Sequence, residues 1–91
     1  MSGKASALKI LLTPTAKEDL GYWQIQNPKM VTKIDAFLEA ILLSPEKGIG
    51  KPEKLKYELS GYWSRRINHK DRIIYQVFED AIVVLQLRDH Y

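Results

Sequence analysis

Cysteine is absent from this 91-residue chain. That absence removes disulfides, thiolate metal sites and cysteine nucleophiles together. Histidine is scarce as well: His69 and His90 are the 2 present, too few for a multi-histidine metal centre, so neither metal nor cofactor is expected. No apolar run approaches the roughly 20 residues of a membrane helix. The opening Met1-Ser2-Gly3-Lys4-Ala5-Ser6-Ala7 lacks the long apolar core of a signal peptide, so the expectation is a cytoplasmic protein without membrane contact. Gly48-Ile49-Gly50-Lys51 lacks the length and the following Ser or Thr of a phosphate-cradling P-loop. No Ser-His-Asp arrangement is legible either.

The chain does have the makings of a folded domain, with 45% hydrophobic and 27% charged residues. Its length suits a single domain, expected over residues 8–91 behind a flexible extension, 1–7. The net charge of +3 is modest but unevenly spread. From Lys51 to Arg72 stand Lys51, Lys54, Lys56, Arg65, Arg66, Lys70 and Arg72 against Glu53, Glu58 and Asp71, a net +4, and the rest of the chain sums to −1. Tyr57, Tyr62 and Trp63 are interleaved with these cations, as on a surface that holds phosphates and stacks bases. A solvated strand face would give the same run.

Lys9 to Thr13 reads as a short buried strand, ended by Pro14. A helix start is signalled twice, by Thr13 before Pro14 and by Thr15 with Glu18 three residues on. Ala16, Leu20 and Trp23 then form one apolar stripe. Asn27-Pro28 breaks that helix. A second is expected from Pro28 to Ser44, with Val31, Ile34, Leu38 and Ile41 at helical spacing, widened by Phe37 and Leu42. The glycines and prolines of Pro45 to Pro52 mark a shaped loop. Tyr62–Asn68, Arg72–Glu79 and Ala81–Leu87 read as strands separated by polar turns, the second turn tight enough to make its strands antiparallel. The fold class is α+β: an N-terminal strand, then a two-helix hairpin packed on a C-terminal antiparallel sheet.

In Tyr62–Asn68, alternation puts Trp63, Arg65 and Ile67 on one face and Tyr62, Ser64, Arg66 and Asn68 on the other. With the helices over Trp63 and Ile67, Arg66 points to the open face and a short hairpin brings Arg72 near it. Trp63 and Ile67 read better as core than as stacking surfaces, Tyr62 suits either role, and His69 reads as a solvated turn residue. The groups left for chemistry fit RNA cleavage by the RNA's own 2′-hydroxyl. Such cleavage needs a base, an acid and cations at the phosphate, roles that Glu53, His90 and the pair Arg66/Arg72 could fill. Taken alone, this constellation is also compatible with a solvated loop glutamate and a frayed terminal histidine.

Gly50-Lys51-Pro52-Glu53-Lys54-Leu55-Lys56, then Leu59-Ser60-Gly61-Tyr62-Trp63-Ser64-Arg65-Arg66-Ile67, Arg72-Ile73-Ile74-Tyr75 and the closing His90-Tyr91 together resemble the signature of the Txe/YoeB toxins. The resemblance runs over Leu8 to Tyr91 and includes Tyr22-Trp23. It implies a RelE-like two-layer fold, metal-independent cleavage of mRNA in the ribosomal A site, a YefM-type antitoxin as partner, and scope for a toxin dimer. Carried over, Glu53 is the general base, His90 the general acid and Arg72 the main phosphate ligand. Tyr91 completes the catalytic set, and Lys51, Lys56, Arg65 and Arg66 are the supporting RNA-binding cations. A histidine, ordinarily titrating at about 6.5, donates a proton readily near neutrality. Asp89 departs from the family, which commonly has an aromatic or neutral residue there. Two other readings are a non-catalytic module of the same fold that binds a protein such as gyrase, and an RNA-binding relative that does not cleave.

Overall fold

The computed structural model describes residues 8–56 and 61–89. Met1 to Ala7, Tyr57 to Ser60, His90 and Tyr91 lie outside the described residues.

The elements run β1 (Lys9–Leu12), α1 (Pro14–Gln26), α2 (Pro28–Leu43), β2 (Glu53–Lys54), β3 (Tyr62–Arg66), β4 (Arg72–Val77) and β5 (Ala81–Gln86). Of the two helix-start signals, the structure uses the first. Thr13 caps α1, its hydroxyl accepting from the Ala16 N–H at 3.2 Å, with Pro14 in the first turn where no N–H is needed. The same hydroxyl donates to the Leu85 carbonyl at 2.9 Å, tying the helix start to the end of β5. Asn27 and Pro28 separate the helices: the Asn27 N–H closes α1 on the Trp23 carbonyl, and Pro28 opens α2.

The sheet order is β1-β5-β4-β3-β2. β2 to β5 form an antiparallel meander, and β1 adds to β5 in parallel, Lys9 opposite Ala81 and Leu12 opposite Val84. The sheet is therefore mixed rather than purely antiparallel: the helical hairpin carries the chain from β1 at one edge to β2 at the other, and the meander runs back until β5 lies beside β1 in the same direction.

Both helices pack on one side of the sheet. Ala16 and Trp23 of α1 and Met30, Ile34, Phe37 and Ile41 of α2 meet Ile73, Tyr75, Ile82, Val84 and Leu87. Leu20, Val31, Leu38, Leu42 and Trp63 are partly buried around them, so the tryptophan belongs to the core's margin. Each fully buried isoleucine contributes about 1.5–3 kcal/mol by leaving water. No helix among the described residues is long and apolar enough to cross a membrane. This is the RelE-like α+β architecture expected from the sequence.

Candidate catalytic face

The sheet's other side carries the cations and the glutamate. On β3 the face opposite Arg65 belongs to Tyr62, Ser64 and Arg66, and each register partner shares its face. Glu53 sits opposite Ser64, Ser64 opposite Ile74, and Arg66 opposite Arg72. Directly opposed residues have Cβ atoms about 4.5–5.5 Å apart. Arg72 also donates a long hydrogen bond, 3.4 Å, from Nη1 to the Ser64 hydroxyl. Ser64 is thus a shared point: Glu53 stands across one rung from it, and the Arg72 guanidinium reaches it from the other side. Ser64 and Ile74 are buried as a floor, while Glu53 and Arg66 are exposed and Arg72 is half-buried.

β2 is only two residues long and was not foreseen, yet it turns Glu53 from a loop residue into a fixed rung. Its entry is set by two left-handed residues in succession, Gly50 (φ 82°) and Lys51 (φ 50°). A side chain at Gly50 would place Cβ 2.5 Å from the Phe37 ring, so glycine is required by space as well as by φ. The Arg66 N–H donates to the Gly50 carbonyl at 2.8 Å and the Leu55 N–H to the Tyr62 carbonyl at 2.9 Å, holding both ends of β2 against β3.

Arg65 departs from the role expected of it. Its side chain is fully buried. Nε donates to the Tyr75 hydroxyl at 3.0 Å, Nη1 to the Ile49 carbonyl at 3.2 Å, and Nη2 to the carbonyls of Ser44 and Lys47 at 2.5 and 2.8 Å. The Tyr75 hydroxyl donates onward to the Pro45 carbonyl at 2.6 Å. Burial pushes the Tyr75 phenol up from its ordinary value, opposed in part by Arg65, which keeps the hydroxyl a donor. The guanidinium is a clamp on the 44–49 loop that leads into Glu53, with no free edge for a phosphate. Alternation had put it on the Trp63 and Ile67 side, and that signal outweighed its charge.

The stretch from Leu87 to Asp89 is tied down by side chains. Trp23 Nε1 donates to the Leu87 carbonyl at 2.9 Å, and the Leu87 N–H donates to Asp19 at 2.8 Å. The Asp89 N–H donates to Asp71 at 2.9 Å, and the Arg88 guanidinium lies 3.6 Å over the Tyr22 ring. Among the expected site residues, Glu53, Arg66 and Arg72 are brought together. Lys51 and Lys56 flank β2 on the surface. His90 and Tyr91 lie outside the described residues. Ser64 and Asp71 were not foreseen; a short polar residue amid strand positions and an aspartate in a turn carry little signal by themselves.

A two-helix crossover thus covers one face of a mixed sheet, and a glutamate and two arginines share the other. The family model describing the YoeB-like toxin of bacterial type II toxin-antitoxin systems matches residues 12–91, and the chain belongs to that family. Toxin YoeB of Streptomyces coelicolor is 40% identical over 84 residues, covering 92% of this chain and 100% of the relative. The YoeB dimer from Staphylococcus aureus superposes with a TM-score of 0.85 at 45% identity, covering 93% of this chain and 99% of that one. A heterotetrameric YoeB-YefM toxin-antitoxin complex from Staphylococcus aureus gives 0.85 at 46%, covering 92% and 98%.

Proposed function

We propose that the chain is a ribosome-dependent, metal-independent endoribonuclease that cuts mRNA in the ribosomal A site and so inhibits translation. The observation that carries this reading is the meeting of Glu53 and Arg72 at Ser64 on a face lined by Arg66. Glu53 takes the proton of a ribose 2′-hydroxyl, and the oxygen attacks the adjacent phosphorus. The bond to the 5′-oxygen breaks, and His90 gives that oxygen a proton. Arg72, supported by Arg66, Lys51 and Lys56, neutralises charge building on the phosphoryl oxygens, and Tyr91 completes the site. The products are a 2′,3′-cyclic phosphate and a 5′-hydroxyl.

In a translation mixture, the purified protein is expected to cut message within ribosome-bound codons, leaving 5′ ends that a kinase labels without prior phosphatase treatment. A message with 2′-deoxyribose at the cut site should bind and stay intact. Cleavage of the deoxy message, or 5′-phosphate ends, removes the 2′-hydroxyl mechanism.

The partner we propose is a YefM-type antitoxin, with the toxin also able to pair with itself. Support comes from the two Staphylococcus aureus assemblies, one a YoeB dimer and one a YoeB-YefM complex. The basic segment favours an acidic antitoxin segment that orders on binding. Association should slow markedly from low to high salt, because screening at 0.1 M acts beyond about 10 Å. A rate independent of salt, measured by stopped flow, argues against that docking face.

A further inference from the structure

β2 has two rungs, Glu53 opposite Ser64 and Lys54 opposite Trp63, and an edge strand shorter than the usual strand does little to hold itself in place. The loop before it decides where Glu53 stands. That loop leaves α2 at Ser44, whose N–H closes the helix on the Ala40 carbonyl, and it reaches Gly50 through turns.

The buried Arg65 guanidinium grips this loop at both ends. Nη2 donates to the Ser44 and Lys47 carbonyls and Nη1 to the Ile49 carbonyl, while Nε donates to the Tyr75 hydroxyl, which donates in turn to Pro45. The loop lies so close that a Cβ at Gly48 would stand 3.3 Å from Arg65 Nη1. From Ile49 to Glu53 there is little slack. Gly50 and Lys51 are both left-handed, the ring of Pro52 fixes its φ, and the Arg66 N–H holds the Gly50 carbonyl. A shift in the clamped loop is therefore handed on to Glu53.

We infer that Arg65, braced by the Tyr75 hydroxyl, is a positioning residue for Glu53: from the helix-covered side of the sheet it sets where the proposed base stands on the open side. The inference rests on the cleavage reading above. A misplacement of about 1 Å at a reacting group is able to cost on the order of 100-fold in rate, so a slackened clamp shows in the chemical step.

Two substitutions load the clamp from opposite sides. Tyr75→Phe keeps the ring in the core and deletes only the hydroxyl that braces Arg65 and Pro45. Gly48→Ala, on the exposed loop, pushes a methyl group against Arg65 Nη1 at a φ of 117°. For each, single-turnover cleavage on programmed ribosomes and ribosome affinity are measured. So is hydrogen exchange at the Arg66 and Leu55 N–H groups, which hold β2 against β3. Each is expected to slow cleavage roughly 10-fold at unchanged affinity and to speed exchange at both groups. The rate loss should vanish in a Glu53→Gln background, where the positioned group is gone, and persist in an Arg72→Ala background, where it is not. Should one variant fail to fold, the other must show the same pattern. Equal fractional losses in both backgrounds, or wild-type rates in the variants, overturn the positioning role and leave the cleavage reading intact. A wild-type protein that cuts no message overturns the cleavage reading, and unchanged exchange at Arg66 and Leu55 overturns the clamp whether or not the protein cleaves.

Discussion

Glu53→Gln and His90→Gln should each slow the cleavage step by roughly 10²–10⁴-fold, the usual range for a positioned base or acid, while fold and RNA binding persist. Glu53 is exposed on an edge strand, and its backbone, not its carboxylate, makes the rung to β3. An isosteric amide there removes the proton acceptor and leaves the strand. Arg72→Ala should behave differently, weakening binding and rate together, because in the proposed mechanism its charge faces the phosphate before and during reaction. Single-turnover rates against ribosome concentration separate these patterns. Full activity in both Glu53→Gln and His90→Gln would leave the chain a YoeB-like toxin acting by another route.

Arg65→Ala should be the most destabilising single change on the sheet. Its guanidinium donates to three loop carbonyls and the Tyr75 hydroxyl. Each buried acceptor left without a partner costs about 1–3 kcal/mol, so the loss should reach at least about 3 kcal/mol, or roughly 12 °C or more in Tm for a domain of this size. Arg65→Lys should recover little, since a point charge with three donors cannot span the acceptors that the planar fork reaches. Thermal unfolding followed by circular dichroism decides. A variant melting within a few degrees of wild type but failing to bind RNA would return Arg65 to the phosphate-binding set.

The parts legible beforehand were those set by local chemistry. Thr13-Pro14 and Asn27-Pro28 placed the helix boundaries because capping and the proline ring act within a few residues. Alternation placed Arg66 on the open face because the pleat has period two, and the short hairpin brought Arg72 near it. What escaped depended on distant partners. β2 has no pattern of its own in Glu53-Lys54; it exists because Gly50 is drawn in by Arg66 and Leu55 by Tyr62. Arg65 was misassigned because a cation suggests solvent, whereas a loop turned inward supplied it with carbonyls. The parallel seat of β1 on β5 was equally invisible, since nothing in Lys9 to Leu12 says which edge it will meet. The expected acid and terminal tyrosine, His90 and Tyr91, lie outside the described residues, so the site's last members rest on the family resemblance.

The seat of β1 has a consequence for biosynthesis. Among the described strands β1 pairs only with β5, which is made after the others, so sheet closure is the most non-local pairing among them and among the slowest contacts to form. While the chain is still being translated, β1 has no partner, Thr13 has no Leu85 carbonyl to grip, and Trp23 has no Leu87. The sheet of a nascent chain is therefore unfinished until β5 has left the ribosome. The antitoxin of a type II system thus has the interval of sheet closure in which to arrive first.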